Sequence, residues 1–118
     1  NKFNEEKLSE AIKSAQLSEL IRSLENGLET EVGERGIRLS GGQIQRIGIA
    51  RALYHNPKIL IFDESTSFLD EENEKNILTD IVKLKKEKTL ILISHKLSTL
   101  KICDKIFEFK NNKVLLRE

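Results

Sequence analysis

This chain of 118 residues has a single cysteine, no long apolar run and almost no excess of either charge. The single cysteine, Cys103, excludes an internal disulfide and fits a reducing compartment. Because its neighbours are apolar, we expect it to be a buried small residue and not a nucleophile. The longest apolar runs, residues 59–62 and 90–93, are far too short to span a membrane. The net charge of +1 with interspersed acids and bases gives no reason to expect nucleic acid as a partner.

The chain has the length of one domain, or of part of one, and the composition of a folded globular protein. We find no internal repeat, no low-complexity segment and no visible signal peptide. The first residue is Asn1 and not a methionine, so we expect the chain to be cut from something larger. The densest basic run, residues 83–88, is predicted to end a solvated helix.

Hydrophobic periodicity predicts helices and strands along most of the chain. Residues 4–24 are predicted to form two helical pieces, with Asn4 and Ser18 as their N-caps. Asn26 and Gly27 are predicted to end the second helix. A glycine-punctuated loop leads to a third helix, which begins after Ser40 and ends before Pro57. The remaining predicted elements are a strand over residues 58–62, a helix over 71–86 with Ile77, Leu78, Ile81, Val82 and Leu84 inward, a strand over 89–93, a short helix over 97–101, and a hairpin of 105–109 and 114–116 around Asn111 and Asn112.

The alternation of helices and strands predicts an α/β fold with a parallel sheet and right-handed crossovers. The strands at 58–62 and 89–93 are continuous apolar runs, which are typical of strands buried on both faces.

The start of the third helix has a composition that suits phosphate binding. Unpaired N–H groups and the helix dipole make a helix N-terminus a natural anion site. Gly41 and Gly42 weaken the helix, but without a Cβ they let a ligand approach the backbone. Ser40 and Gln43 also fit a capping box. Capping explains these two residues but not the two glycines between them.

Polar side chains follow both predicted parallel strands, at the edge where ligands gather in open α/β sheets. Asp63 suits Mg²⁺, usually through water, and Glu64 could orient or deprotonate an attacking water. His95 at the next strand end could hydrogen-bond a γ-phosphate oxygen. Taken alone, the acidic pair is more often a turn or a helix cap, and the same structural interpretation holds for His95 and more strongly for His55.

Together these segments resemble the motifs of ATP-binding cassette (ABC) ATPases. Residues 39–43 resemble the signature motif, and residues 59–64 resemble the Walker B strand with its catalytic glutamate, Glu64. Four residues resemble the D-loop: Ser67, Phe68, Leu69 and Asp70. His95 and residues 96–99 resemble the switch histidine segment. The order and spacing of the four motifs also match, and the likeness covers essentially the whole chain.

The resemblance is to part of a nucleotide-binding domain. No G-x-x-x-x-G-K-[ST] occurs in the chain, so the P-loop and its strand are absent. By resemblance, residues 1–56 form the helical (signature) subdomain and residues 57–118 the C-terminal part of the ATPase core. Ser65 and Phe68 stand where the family commonly has alanine, and we expect the bulkier Phe68 to alter D-loop packing.

A segment before the signature resembles the loop of ABC exporters that meets the coupling helices of the membrane domains. It consists of Glu31, Val32, Gly33, Glu34, Arg35 and Gly36. The same segment usually differs in importers, so the resemblance favours an exporter or flippase at the cytoplasmic face of a membrane. The alternative is a plain glycine-rich connector.

The resemblance implies ATP and Mg²⁺ as cofactors and a head-to-tail pair of nucleotide-binding domains. Ser40, Gly41, Gly42 and Gln43 would serve an ATP held by the partner domain. Asp63, Glu64 and His95 would serve the ATP on the P-loop of their own cassette. The implied partners are a second nucleotide-binding domain, the transmembrane domains and the N-terminal half of this cassette, with no nucleic acid.

Without a P-loop, we expect the chain alone to be inactive. In the family the P-loop strand lies between the strands at 89–93 and 105–109. Its absence predicts exposed strand edges and a rearranged or self-associated sheet. Two other functions remain open: a soluble ABC-type ATPase acting on DNA or ribosomes, and a non-catalytic interaction module that donates its signature to a partner. The exporter-like loop and the lack of a basic stripe argue against the first of these.

Overall fold

The first two helices form a bent pair at the start of the chain. The computed structural model describes residues 3–67 and 69–117. Helix α1, Glu5–Ser14, is capped as predicted by Asn4, whose side chain accepts a hydrogen bond from the N–H of Lys7 at 2.9 Å. Helix α2, Ser18–Ser23, begins one residue earlier than predicted. Ser18 is therefore its first residue and not its cap, because the chain reverses at Gln16 (φ 57°) and buries Leu17 in the cap position.

Helix α3, Gly41–Leu53, lies against α1 and follows a 3₁₀ turn, Gly27–Glu29, and an exposed loop. The Tyr54 hydroxyl just after α3 accepts a hydrogen bond from the backbone N–H of Asn4 at 2.8 Å. Arg46 of α3 donates to the carbonyl of Ala15 and pairs with Asp80 at 2.6 Å. These polar contacts fix the relative placement of the helices around a shared apolar core.

Two parallel strands with one helical crossover form the α/β part, as predicted. Strand β1, Ile59–Asp63, pairs in register with β2, Thr89–Ile93, so that Asp63 lies opposite Ile93. Helix α4, Glu71–Leu84, connects them and buries Ile77, Leu78 and Ile81 in the core. Val82 was predicted to face inward, but it is exposed.

The prediction that both strands are buried on two faces is wrong. Leu60 and Phe62 of β1 belong to the buried core, whereas Ile59 and Ile61 are 57% and 64% exposed. Strand β2 follows the same alternation, and its Ile91 and Ile93 are exposed as well. The reason is that helices of the described residues cover only one face of this sheet.

The last elements are a short helix and a hairpin. Helix α5, Leu97–Leu100, leads to β3, Ile106–Lys110, and β4, Lys113–Arg117, which pair antiparallel. Asn111 and Asn112 both have positive φ, as the predicted tight turn requires.

The hairpin forms a sheet of its own, separate from β1 and β2, so the single parallel sheet of the prediction is divided in two. Among the described residues β2 pairs only with β1, and β3 only with β4, which agrees with the predicted exposed edges. The described strands keep the expected pairing. A rearranged or self-associated sheet in solution stays a prediction.

Cys103, expected to be buried, is only half-buried. Burial nevertheless raises the pKa of its thiol, which keeps it a poor nucleophile at neutral pH. Lys85, within the basic run, is not freely solvated, since its ammonium group binds the Ile102 carbonyl and Asp104.

Across residues 3–67 and 69–117, none of the helices has both the length and the apolar character that crossing a membrane requires.

Candidate functional site

Glu64 and His95 meet at the edge where β1 and β2 end. Because β1 and β2 pair in register, the two strands end at the same edge of the sheet. The N–H of Glu64 donates to the carbonyl of Ile93 at 2.8 Å. The Nδ1 atom of His95 then lies 3.2 Å from Oε1 of Glu64. The two strand ends singled out from the sequence are thus brought into one polar cluster.

Glu64 is held in an unusual backbone conformation, with φ at 50°. Its Oε2 atom is buried and has no hydrogen-bond partner among the described residues, while Oε1 faces His95. A buried polar atom without a partner is costly unless a water molecule or ligand satisfies it. The geometry therefore leaves one buried carboxylate oxygen of Glu64 without a hydrogen-bond partner in the described part of the chain.

Asp63, the last residue of β1, is exposed and directly precedes Glu64 in the sequence. In the described part of the chain no three His, Cys, Asp or Glu side chains converge to form a metal site. Mg²⁺ is commonly held by one or two carboxylates together with the phosphates of a substrate. The donor set at Asp63 therefore fits a Mg²⁺ ion that arrives with a nucleotide.

The start of α3 is a complete capping box. The N–H of Gln43 donates to Oγ of Ser40 at 3.2 Å, and Oε1 of Gln43 accepts from the N–H of Ser40 at 2.8 Å. Gly42 is buried, and a Cβ at this position would lie 3.0 Å from Oδ1 of Asn73. The hypothesis that Gly42 only admits a ligand is therefore incomplete, because its lack of a side chain also lets α3 pack closely on α4.

Hydrogen bonds hold Ser67 and Asp70, two residues of the segment that resembles the D-loop. The N–H of Ser67 donates to the Glu64 carbonyl at 3.1 Å, and Leu69 is half-buried. Asp70 caps α4 by accepting from the N–H and the side-chain amide of Asn73, at 2.8 and 2.7 Å. These bonds lower the pKa of Asp70, with the backbone bond from Asn73 contributing most. Phe68, expected to alter this packing, lies outside the described residues.

The loop of residues 31–36 closes on itself. The N–H of Ile37 donates to the Glu31 carbonyl at 3.0 Å, and the N–H of Gly33 donates to the Ile37 carbonyl at 3.1 Å. Gly36 is essential to this closure, since a Cβ there would lie 2.0 Å from the Glu31 carbonyl oxygen. Val32, Gly33, Glu34 and Arg35 are all exposed. The segment is thus a compact projection whose charged side chains face outward.

A buried polar cluster beside the site was missed from the sequence. Lys96 donates to the carbonyl of Thr66 at 2.7 Å and pairs with Glu74, which also accepts a hydrogen bond from Ser98. The hydrogen bond from Lys96, and then the one from Ser98, lowers the pKa of Glu74. The available signal was the position of Glu74 one turn before Ile77 on the apolar face of α4.

The candidate residues fall into two separate groups. Within residues 3–67 and 69–117, no hydrogen bond joins Ser40 or Gln43 to Glu64 or His95. The start of α3 and the sheet edge are therefore not joined by a direct hydrogen bond between these described residues.

Comparison with known proteins identifies the class. A solved structure of a bacterial Atm1-family ABC exporter with ATP bound superposes with a TM-score of 0.78 at 39% sequence identity, over 98% of this chain and 20% of that one. The fold is accordingly the α/β fold of the ATPases of ABC exporters. The family profile described as "ABC transporter" matches residues 1–67. The chain belongs to the ABC transporter family.

Among curated relatives, an ATP-dependent lipid A-core flippase of Pasteurella multocida is 46% identical over 97% of this chain and 20% of its own length. The alpha-hemolysin translocation ATP-binding protein HlyB of Escherichia coli is 50% identical over 93% of this chain and 16% of its own. These matches confirm the predicted resemblance to ABC ATPases and to their exporter type. The chain spans a fifth or less of the length of these relatives.

Proposed function

We propose that this chain is part of the nucleotide-binding domain of an ABC exporter or flippase, in which ATP binding and hydrolysis drive transport. The observation that carries the proposal is the meeting of Glu64 and His95 at the edge of a parallel sheet, where Asp63 is the last residue of β1. The names of the relatives, a flippase and a translocation protein, support the exporter assignment. In this proposal residues 1–56 are the helical subdomain and residues 57–118 belong to the ATPase core.

Glu64 acts as the base or orienting group for the attacking water. A hydrogen bond between Nδ1 of His95 and Oε1 holds the carboxylate in one orientation, in which the buried Oε2 has no other partner among the described residues. Asp63 holds Mg²⁺ through water, and the ion supplies charge neutralisation at the phosphate oxygens when it is bound. His95 is also placed to hydrogen-bond the γ-phosphate through its other ring nitrogen.

The start of α3 serves a different nucleotide, held by a second nucleotide-binding domain. Ser40 and the first N–H groups of α3 point to a phosphate, and Gly41 permits its close approach. Gln43 supports Ser40 through the capping box, and Gly42 sets the position of α3 on α4. This division is supported by the lack, among the described residues, of a hydrogen bond from Ser40 or Gln43 to Glu64 or His95.

The self-closed loop is proposed to contact the transmembrane domains at the cytoplasmic face of the membrane. Its exposed residues are Glu31, Val32, Gly33, Glu34, Arg35 and Gly36. The P-loop, which binds the nucleotide phosphates, would come from the N-terminal half of the same cassette. The proposed partners are therefore that half, a second nucleotide-binding domain and the transmembrane domains.

The proposal is tested by measuring phosphate release from ATP with this chain alone and with the longer protein that contains it. We expect no turnover by the chain alone. In the longer protein Glu64→Gln is expected to lower kcat by about 100-fold or more, because a general base contributes about 10²- to 10⁴-fold. Glu72→Gln, at an exposed carboxylate in the first turn of α4, is the matched control and should leave kcat unchanged. Turnover by the chain alone that Glu64→Gln abolishes would contradict the expected inactivity.

A further inference from the structure

Lys96 connects the two segments that leave the sheet edge. One segment runs from Glu64 through Thr66 into α4, and the other runs from His95 into α5. The Lys96 ammonium group donates to the carbonyl of Thr66 at 2.7 Å and pairs with Glu74 in the first turn of α4. Its side chain therefore spans the gap between the Glu64 segment and the His95 segment.

The groups around Lys96 are well buried and mutually fixed. Thr66 and Glu74 are 3% and 9% exposed. Glu74 receives hydrogen bonds from both Lys96 and Ser98, and these bonds lower its pKa. Charge-assisted hydrogen bonds of this kind are stronger and more directional than neutral ones. Lys96 is also tied to its own segment, since its N–H donates to Oγ of Ser94 at 3.1 Å.

Glu64 and His95 have little packing of their own to hold them together. The side chain of His95 is 79% exposed and that of Glu64 is 41% exposed. Their separation therefore depends on the backbone segments that carry them, and Lys96 and Glu74 hold those segments. We infer that Lys96 and Glu74 form a positioning pair that sets the distance between Glu64 and His95, an assignment that rests on the function proposed above.

A purely structural ion pair is the competing explanation, and the chain offers a matched control for it. Lys85 likewise joins a backbone carbonyl, that of Ile102, to a carboxylate, that of Asp104, at 2.9 and 2.8 Å. Lys85 is the C-cap of α4, at the opposite end of that helix from the N-cap Asp70. Removal of either lysine ammonium group removes one contact with a backbone carbonyl and one with a carboxylate. Only the contacts of Lys96 join the segments that carry Glu64 and His95.

The test compares Lys96→Met, Lys96→Arg and Lys85→Met in the longer protein, with kcat expressed per mole of bound nucleotide so that unfolded molecules do not count. We expect Lys96→Met to lower kcat by about 10- to 100-fold with KM for ATP little changed, since small misplacements of reacting groups cost rates of this order. Lys96→Arg is expected to restore most of the loss, because a guanidinium group can reach the same two acceptors. Lys85→Met should leave kcat unchanged.

Equal kcat values for Lys96→Met and Lys85→Met would overturn the positioning pair. If Lys96→Met binds no nucleotide, Glu74→Gln provides the same comparison, because the amide still accepts from Ser98 but loses the charge that attracts Lys96. The two proposals fail differently. Unchanged turnover in Glu64→Gln would overturn both, whereas lost turnover in Glu64→Gln with normal kcat in Lys96→Met would overturn the positioning pair alone.

Discussion

The side-chain oxygen of Asn73 lies 3.0 Å from the point where a Cβ atom on Gly42 would stand. Asn73 cannot move away freely, because its amide donates to Asp70 at 2.7 Å. Asp70, the first turn of α4 and the first turn of α3 are therefore linked through one asparagine. The placement of α3 depends on a residue outside residues 39–43.

Gly42→Ala is expected to destabilise the fold by about 1 kcal/mol. The added methyl overpacks against Asn73, at a cost of about 1–3 kcal/mol, which exceeds the gain of up to about 1 kcal/mol from better helix propensity. Urea unfolding of the single variants and of the Gly42→Ala/Asn73→Ala double variant measures the coupling. In the Asn73→Ala background the alanine at position 42 should be neutral or stabilising.

Gly48→Ala is the control for this experiment. Gly48 lies within the same helix, and a Cβ there would meet nothing within 4 Å. Alanine at position 48 should therefore stabilise the fold by up to about 1 kcal/mol. Equal effects of the substitutions at Gly42 and Gly48 would show that the contact with Asn73 is unimportant.

Gly36→Ala is expected to open the loop of residues 31–36. A methyl group would collide with the Glu31 carbonyl, which accepts the hydrogen bond from the N–H of Ile37. Hydrogen exchange at the Ile37 amide should accelerate by about tenfold or more, as expected for local opening. Glu34→Ala, which removes only an exposed side chain, should leave that exchange rate as it is. Unchanged exchange in Gly36→Ala would mean that the loop is already open in solution.

Acid is expected to weaken the fold through Glu74. Hydrogen bonds from Lys96 and Ser98 hold the pKa of Glu74 below its ordinary value of 4.5. The resulting stability is fully present above about pH 4.5 and is lost as the pH falls through the lowered pKa, because protonation then favours the unfolded chain. Denaturant unfolding between pH 3 and 7 should show Glu74→Gln less stable than the wild type at pH 7, with a difference that shrinks in acid. A constant difference would contradict the assignment, and the exposed Glu72→Gln serves as control.

The chain alone is expected to self-associate through its uncovered sheet face. Ile61 and Ile91 are cross-strand neighbours on that face and are 64% and 45% exposed. Large exposed apolar patches favour association. Sedimentation should give a mass above the 13.5 kDa of one chain, and Ile61→Lys with Ile91→Lys should return it to one chain. Leu28→Lys, at an exposed leucine in the 3₁₀ turn, should not. A wild-type chain that sediments at 13.5 kDa would contradict this prediction.

Local signals in the sequence predicted much of the fold. The caps at Asn4 and Ser40 depend on hydrogen bonds within four residues, and both are present. The parallel pairing of β1 and β2 follows from two apolar runs separated by one amphipathic helix. The meeting of Glu64 and His95 follows from that pairing, because parallel strands end at the same edge.

Contacts between distant segments were beyond the reach of those signals. The apolar run of β1 indicates that both faces require cover, but it does not say whether this chain supplies it, and Ile61 is exposed. The identity of Gly42 shows conformational freedom but not that Asn73 is its neighbour. The pairing of Lys96 with Glu74 joins residues 22 positions apart, and only the packing of α4 on the sheet edge brings them together.

The left-handed conformation of Glu64 places stability and catalysis in opposition at a single residue. A side chain with a Cβ pays roughly 1–2 kcal/mol for this backbone geometry, whereas glycine adopts it freely. Engineering of this chain for thermal resistance alone would thus favour glycine at position 64 and remove the one carboxylate proposed to act on water. A stabilised variant that is to retain the proposed activity must therefore keep glutamate at position 64.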